Sequence, residues 1–158
     1  MNLTEKRSAG AGIVYGKTFH IFGGNDYDKK TKLQSSEIVK EDGSSTEGPQ
    51  LPTAIAWHAI ASVNSTVSII TGGVINNYEI SNRTWYFNHA TQEFWPGPSL
   101  LESRSGHSSA TITDQETKEK ISIVAGGYYT MDGYLSSTEL LIKGEWERGK
   151  DNIKVCYT

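Results

Sequence analysis

Phe19-His20-Ile21-Phe22-Gly23-Gly24, Ser68-Ile69-Ile70-Thr71-Gly72-Gly73 and Ser122-Ile123-Val124-Ala125-Gly126-Gly127 are the three stretches on which the fold turns. Each is a β-prone run that ends in a glycine pair, and Gly23, Gly72 and Gly126 follow one another at 49 and 54 residues. Matched segments at a spacing close to 50 residues mark an internal repeat. Glycine pairs allow positive φ or close approach to a neighbouring backbone, so they suit crowded strand ends.

The surroundings of the glycine pairs repeat as well. Upstream lie second β-prone runs at residues 10–15, 58–63 and 107–113, the last two opening on Trp57-His58-Ala59 and Gly106-His107-Ser108. Downstream, Ser35-Ser36-Glu37-Ile38 matches Ser137-Thr138-Glu139-Leu140, and Arg83-Thr84-Trp85-Tyr86 fills the same slot in the middle unit. Trp95 and Trp146 close the second and third units, and Gly48-Pro49 aligns with Gly97-Pro98. The pattern predicts four strands per unit, with units at residues 1–52, 53–101 and 102–149 and a tail, or the start of a further strand, at 150–158.

These features resemble the kelch family, whose repeats carry a glycine pair after the second strand, an aromatic residue in the third and a tryptophan near the fourth. The resemblance covers residues 7–149. It departs at Thr46, where the first unit's tryptophan would stand, at Gly10 in place of histidine, and at Ile55 opposite Arg104 of the third unit. It implies an all-β chain forming part of a β-propeller, as three four-stranded antiparallel blades. Physical reasoning agrees, since small twisted sheets pack face to face around an axis with small residues where strands crowd it. Gly23, Gly24, Gly72, Gly73, Gly126, Gly127, Trp95 and Trp146 are then structural. Trp95 and Trp146 are expected to be buried between sheets, and Trp57 nearer the axis.

Composition narrows the function. The 158 residues hold 15 Lys+Arg and 18 Asp+Glu, a net charge of -3 without a basic run, so neither nucleic acid nor an anionic membrane is an expected partner. Residues 48–78 lack charge, but interspersed Ser, Thr, Asn and His make them a buried hairpin and not a membrane span. The single Cys156 favours a cytosolic chain, whereas the sequons at Asn2, Asn64 and Asn82 would matter only after secretion.

Catalytic patterns are absent from the sequence. His58 and His107 recur at one repeat position and read as structural; His20 alternates within a strand, His89 falls in a polar turn, and no metal-ligand spacing links them. Glu37 and Glu139 are likewise repeat equivalents. Gly10-Ala11-Gly12 lacks the rest of a dinucleotide fingerprint, so no cofactor is expected. Residues 113–119 read as an exposed hairpin loop.

In an up-and-down four-stranded unit, the links from second to third strand (25–34, 74–80, 128–135) and between units (50–54, 99–105) emerge at one end. Asp26, Tyr27, Asn77, Tyr78, Arg104, Tyr128, Tyr129, Asp132 and Tyr134 populate it, and Tyr and Arg are enriched at binding hot spots. The kelch resemblance implies a protein partner there and no enzymatic activity. Two alternatives stay open: Tyr27, Tyr78 and Tyr128 pack their own loops, or the aromatic loops stack on a glycan or small substrate. Three blades cannot close a ring, so further blades or self-association are expected to complete it.

Overall fold

The computed structural model describes residues 3–130 and 133–149 (for Asn77, the backbone only); Asn2, Asp132 and the tail at 150–158 with Cys156 lie outside the described residues. The chain is all-β, with three open four-stranded antiparallel sheets. The first contains β1 (Ala11–Tyr15) and β2 (Thr18–Phe22), a side hairpin of β3 (Asn25–Asp26) and β4 (Thr31–Lys32), then β5 (Ser36–Val39) and β6 (Ser45–Glu47). The second holds β7 (Ala59–Ser62), β8 (Val67–Thr71), a short 3-10 turn at Asn76–Tyr78, β9 (Thr84–Asn88) and β10 (Glu93–Pro96). The third repeats the plan of the first: β11 (Ser108–Thr113), β12 (Lys120–Ala125), a hairpin of β13 (Tyr128–Thr130) and β14 (Gly133–Tyr134), β15 (Thr138–Ile142) and β16 (Glu145–Arg148). Among the described residues no helix is long and apolar enough to cross a membrane.

Local chemistry sets these hairpins. β1 and β2 pair Tyr15 with Thr18 around a two-residue turn whose first residue, Gly16, has φ +57°, as a primed hairpin turn demands. At residues 113–119 the Asp114 carboxylate accepts the N–H groups of Glu116 (2.9 Å) and Thr117 (2.7 Å), closing an exposed loop.

The sheets stack face to face. Phe22, Leu51, Ile55, Ile70 and Phe87 form the core between the first and second, with Phe94 and Trp85 packed against it. Ala61, Ile69, Leu100, Val124, Leu141 and Trp146 form the core between the second and third. β1, β7 and β11 lie side by side along this stack. The glycine pairs sit where successive units meet. A Cβ on Gly23 would collide with the Ile55 carbonyl and press on His58, and one on Gly72 would do the same to the Arg104 carbonyl and His107.

One expectation about the register is corrected. Gly48, Gly97 and Gly149 each donate an N–H to the first residue of the third strand, Ser36, Thr84 and Thr138, at 2.9, 3.0 and 2.8 Å. Counting back three from each glycine, Trp146 matches Phe94 and Ser45, so Trp95 stands one place further on. A single residue reverses the face of a strand. Trp146 is accordingly 5% exposed and donates its indole N–H to the Pro98 carbonyl at 2.9 Å, whereas Trp95 is 39% exposed and stacks on Tyr86 at the surface. Phe94 takes the inward place, 4.6 Å from the Phe87 ring.

Candidate functional site

The links between sheets and the hairpins after each glycine pair meet at one end of the stack. Ser8 pairs with Asn25, Ala56 with Val74, and Ser105 with Tyr128, so each link is tied to a hairpin by the same antiparallel bridge. Between the first and second units this end opens into a hollow of about 210 Å³ lined by Asn25, Asp26, Tyr27, Lys30, Lys32, Trp57 and Tyr78, among others.

The β3–β4 hairpin forms one wall. The Asp26 carboxylate accepts the N–H groups of Asp28 (3.0 Å) and Lys29 (3.1 Å), folding the turn, and pairs with the Lys29 ammonium at 3.1 Å. These bonds hold its carboxyl below the usual range, the Lys29 backbone N–H foremost. Lys29 is also paired with Glu5 at 3.0 Å, and Lys6 with Asp28 at 2.8 Å. Lys30 and Lys32 have no ion-pair partner among the described residues; the Lys32 ammonium instead lies 4.6 Å from the centre of the Tyr78 ring.

Backbone strain concentrates here. Of seven described non-glycine residues with positive φ, Lys30 (φ 53°), Trp57 (φ 53°) and Tyr78 (φ 60°) line this hollow. Left-handed backbone costs a bulky residue on the order of 1–3 kcal/mol and clusters at functional sites. For Trp57 the fold itself demands the conformation. Trp57 N–H bonds the Ala9 carbonyl and Gly106 N–H bonds the Trp57 carbonyl, both at 2.8 Å, and Ala9 and Gly106 also have positive φ. Small residues serve at two of these three positions. At the third stands a tryptophan, half-exposed at the hollow, where burial offsets only part of the strain.

The expected surface residues divide. Tyr27, Tyr78, Tyr129 and Tyr134 are exposed, Tyr78 most of all at 84%. Tyr128 is half-buried with its ring over Gly106, where a Cβ would meet it at 2.8 Å. Asp26 is buried as the turn-former just described. Arg104, expected on this surface, is instead wholly buried. Its guanidinium donates to the Glu139 carboxylate at 2.7 Å and to the carbonyls of Gly126 (2.8 Å) and Ser137 (3.3 Å). Glu139 also accepts the N–H groups of Leu101 (2.7 Å) and Glu102 (3.1 Å).

Sequence reasoning missed the first unit's copy of this cluster. Arg7 donates to Glu37 at 2.9 Å and to the carbonyls of Gly23 (2.7 Å) and Ser35 (3.2 Å), while Glu37 accepts the N–H groups of Thr4 and Glu5. Burial pushes the Glu37 carboxyl up, but the Thr4 and Arg7 hydrogen bonds outweigh it and hold it below the ordinary value. The signal was the shared spacing Glu5-x-Arg7 and Glu102-x-Arg104 ahead of Ser35-x-Glu37 and Ser137-x-Glu139. In the middle unit Ile55 and Trp85 replace the ion pair, an apolar solution to the same buried position.

The histidines are interior. His58 and His107 pack against Gly23 and Gly72, and burial pushes their imidazoles down to about 4 and about 3. His89, expected in a polar turn, is buried and stacked on Tyr15 with centroids 4.7 Å apart. Two sequon asparagines have structural tasks. Asn64 accepts the N–H groups of Thr66 and Val67, and Asn82 donates to the Leu100 carbonyl at 3.2 Å. Among the described residues no three His, Cys, Asp or Glu side chains gather as metal ligands. No protein-family model matches the chain, and no curated protein matches it.

Proposed function

We propose that the chain is a non-enzymatic run of three kelch-type propeller blades that binds a protein partner through the end formed by the β3–β4 hairpin, the 76–78 turn and the β13–β14 hairpin. The observation that carries this reading is Trp57, a large aromatic held in left-handed backbone at the mouth of the hollow where its two repeat equivalents are Ala9 and Gly106. Tyr27 and Tyr78 beside it offer rigid contact area, and Lys30 and Lys32 supply charge that no carboxylate among the described residues pairs with. The hollow is smaller than the ~300–1,000 Å³ of small-molecule sites, which suits one or two side chains of a protein surface.

The test is affinity capture with the wild-type chain and with Trp57→Gly/Tyr78→Ala. A protein ligand retained by the first and lost by the second, with both variants folded by circular dichroism, supports the proposal. A chain that captures no protein but binds a glycan array, or turns over a small substrate, overturns it.

A further inference from the structure

Three segments of the chain have the same role, but only two of them carry it out. Residues 51–58 dock on the first sheet and residues 100–107 on the second. In the first junction Leu51 N–H bonds the Gln34 carbonyl (2.8 Å), Ile55 N–H the Leu33 carbonyl (3.1 Å), and Gly24 N–H the Ile55 carbonyl (2.8 Å). In the second, Leu100 bonds Asn82 (2.8 Å), Arg104 bonds Ser81 (3.2 Å), and Gly73 bonds Arg104 (2.8 Å) in the same sense. Leu51 and Leu100 anchor these segments at 1% and 2% exposure, one in each core.

By the same count residues 3–10 are the third such segment. Leu3, four residues before Arg7 as Leu100 is before Arg104, is 38% exposed. Its socket lies at the far end of the stack. On the third sheet the equivalent acceptor and donor, the Leu135 carbonyl and the Gly127 N–H, have no partner of this kind among the described residues, and neither does the Gly106 carbonyl. The nearest atom to a Cβ on Gly126 would be the Leu135 carbonyl oxygen at 3.6 Å, open space compared with the crowded Gly23 and Gly72.

The sheet faces agree. Ala61 and Ile69, buried on the second sheet, have exposed Ala110 and half-buried Ile123 as counterparts on the third. At the other end Ile70 and Phe87, fully buried, correspond to half-buried Ile21 and Val39 on the first sheet. The two free faces are thus the two halves of the contact already made twice within the chain.

We infer that a second copy of this chain supplies the missing half, with residues 3–10 and the first sheet of each molecule seated on the third sheet of the other. The inference rests on the propeller reading of the sheets but not on the partner-binding surface. A head-to-tail contact either closes into a ring or grows without limit. Two copies give six sheets, within the ~4–8 of known propellers, and three would exceed it. Arg7 would bond Gly127 and Leu135, Ala9 would bond Gly106, and Leu3 would lie against Ser136. One element differs: Gly10 stands where His58 and His107 cap the first glycine, which makes this junction weaker than the two internal ones.

Sedimentation equilibrium of the 158-residue chain tests the inference, with an expected mass twice 17.4 kDa at micromolar concentration. Leu3→Asp, at a position exposed in the single molecule, is expected to keep the β circular-dichroism spectrum and raise the dissociation constant at least tenfold. In a Cys156→Ser background, Leu3→Cys with Ser136→Cys is expected to oxidise to a dimer linked by two disulfides. A folded monomer at 17.4 kDa, a mass that keeps rising with concentration, or a dimer that never forms the 3–136 link would each overturn the inference. None of these outcomes bears on whether Trp57→Gly loses a protein ligand, so the two proposals fail separately.

Discussion

His20 and His89 face each other Nδ1 to Nδ1 at 3.1 Å across the first and second sheets. One ring must donate and the other accept, while the Nε2 atoms bond Thr18 at 3.1 Å and Ser68 at 2.8 Å. Tyr15, Phe22 and Phe87 enclose the pair, so it has little access to water.

The pair makes the fold acid-sensitive. Burial pushes His89 down to about 4, with the neighbouring His20 adding to the shift, and burial lowers His20 too. A histidine whose folded pKa lies below its unfolded value favours folding fully only above the unfolded value, near 6.5, and loses that contribution as pH falls. With His58 and His107 shifted the same way, urea midpoints are expected to drop steeply between about pH 6.5 and 4. Replacing both facing rings, His20→Phe with His89→Leu, should flatten part of that slope. An unchanged slope would mean that this pair does not govern it.

The buried arginine clusters should respond to mutation as pairs. Arg104→Met alone leaves the Glu139 charge without its guanidinium partner in the interior and is expected to cost about 3–5 kcal/mol in urea unfolding. Arg104→Ile with Glu139→Trp, copying Ile55 and Trp85 of the middle unit, should recover most of that loss. A double variant as unstable as the single one would show that the apolar pair does not transfer between units.

The register makes the tryptophans unequal. Trp146→Ala is expected to cost about 3–5 kcal/mol, because the ring is buried and its N–H is bonded. Trp95→Ala, at the surface, should cost less than about 1 kcal/mol. Acrylamide quenching of single-tryptophan variants gives a second readout, with Trp95 quenched readily and Trp146 protected. Equal quenching would place the two rings in equivalent positions after all.

Trp57 should show a trade between stability and binding. Trp57→Gly relieves left-handed strain at a site where Gly106 already serves in the third unit, so thermal unfolding is expected to stay level or rise by a few degrees. A loss above about 2 kcal/mol would instead mark Trp57 as a packing residue and remove the strain argument for function.

The β class, the three repeated units and the places where their backbones come close were legible in the chain of residues alone. Those properties are local: β-prone runs make strands, and Gly23-Gly24, Gly72-Gly73 and Gly126-Gly127 admit conformations that a Cβ forbids. Which side chains face inward emerged with the packing of the sheets. Gly97 and Gly149 make the same bond to the start of the third strand, yet Trp95 lies two residues before the one and Trp146 three before the other, and with a side-chain period of two that single-residue offset turns Trp95 outward and leaves Phe94 inward. Arg104 looked like a loop residue because its partner Glu139 is 35 positions away, and His20 meets His89 across 69. Burial of a charge or an imidazole is settled by which distant group comes to meet it, and no local pattern in the chain encodes that meeting.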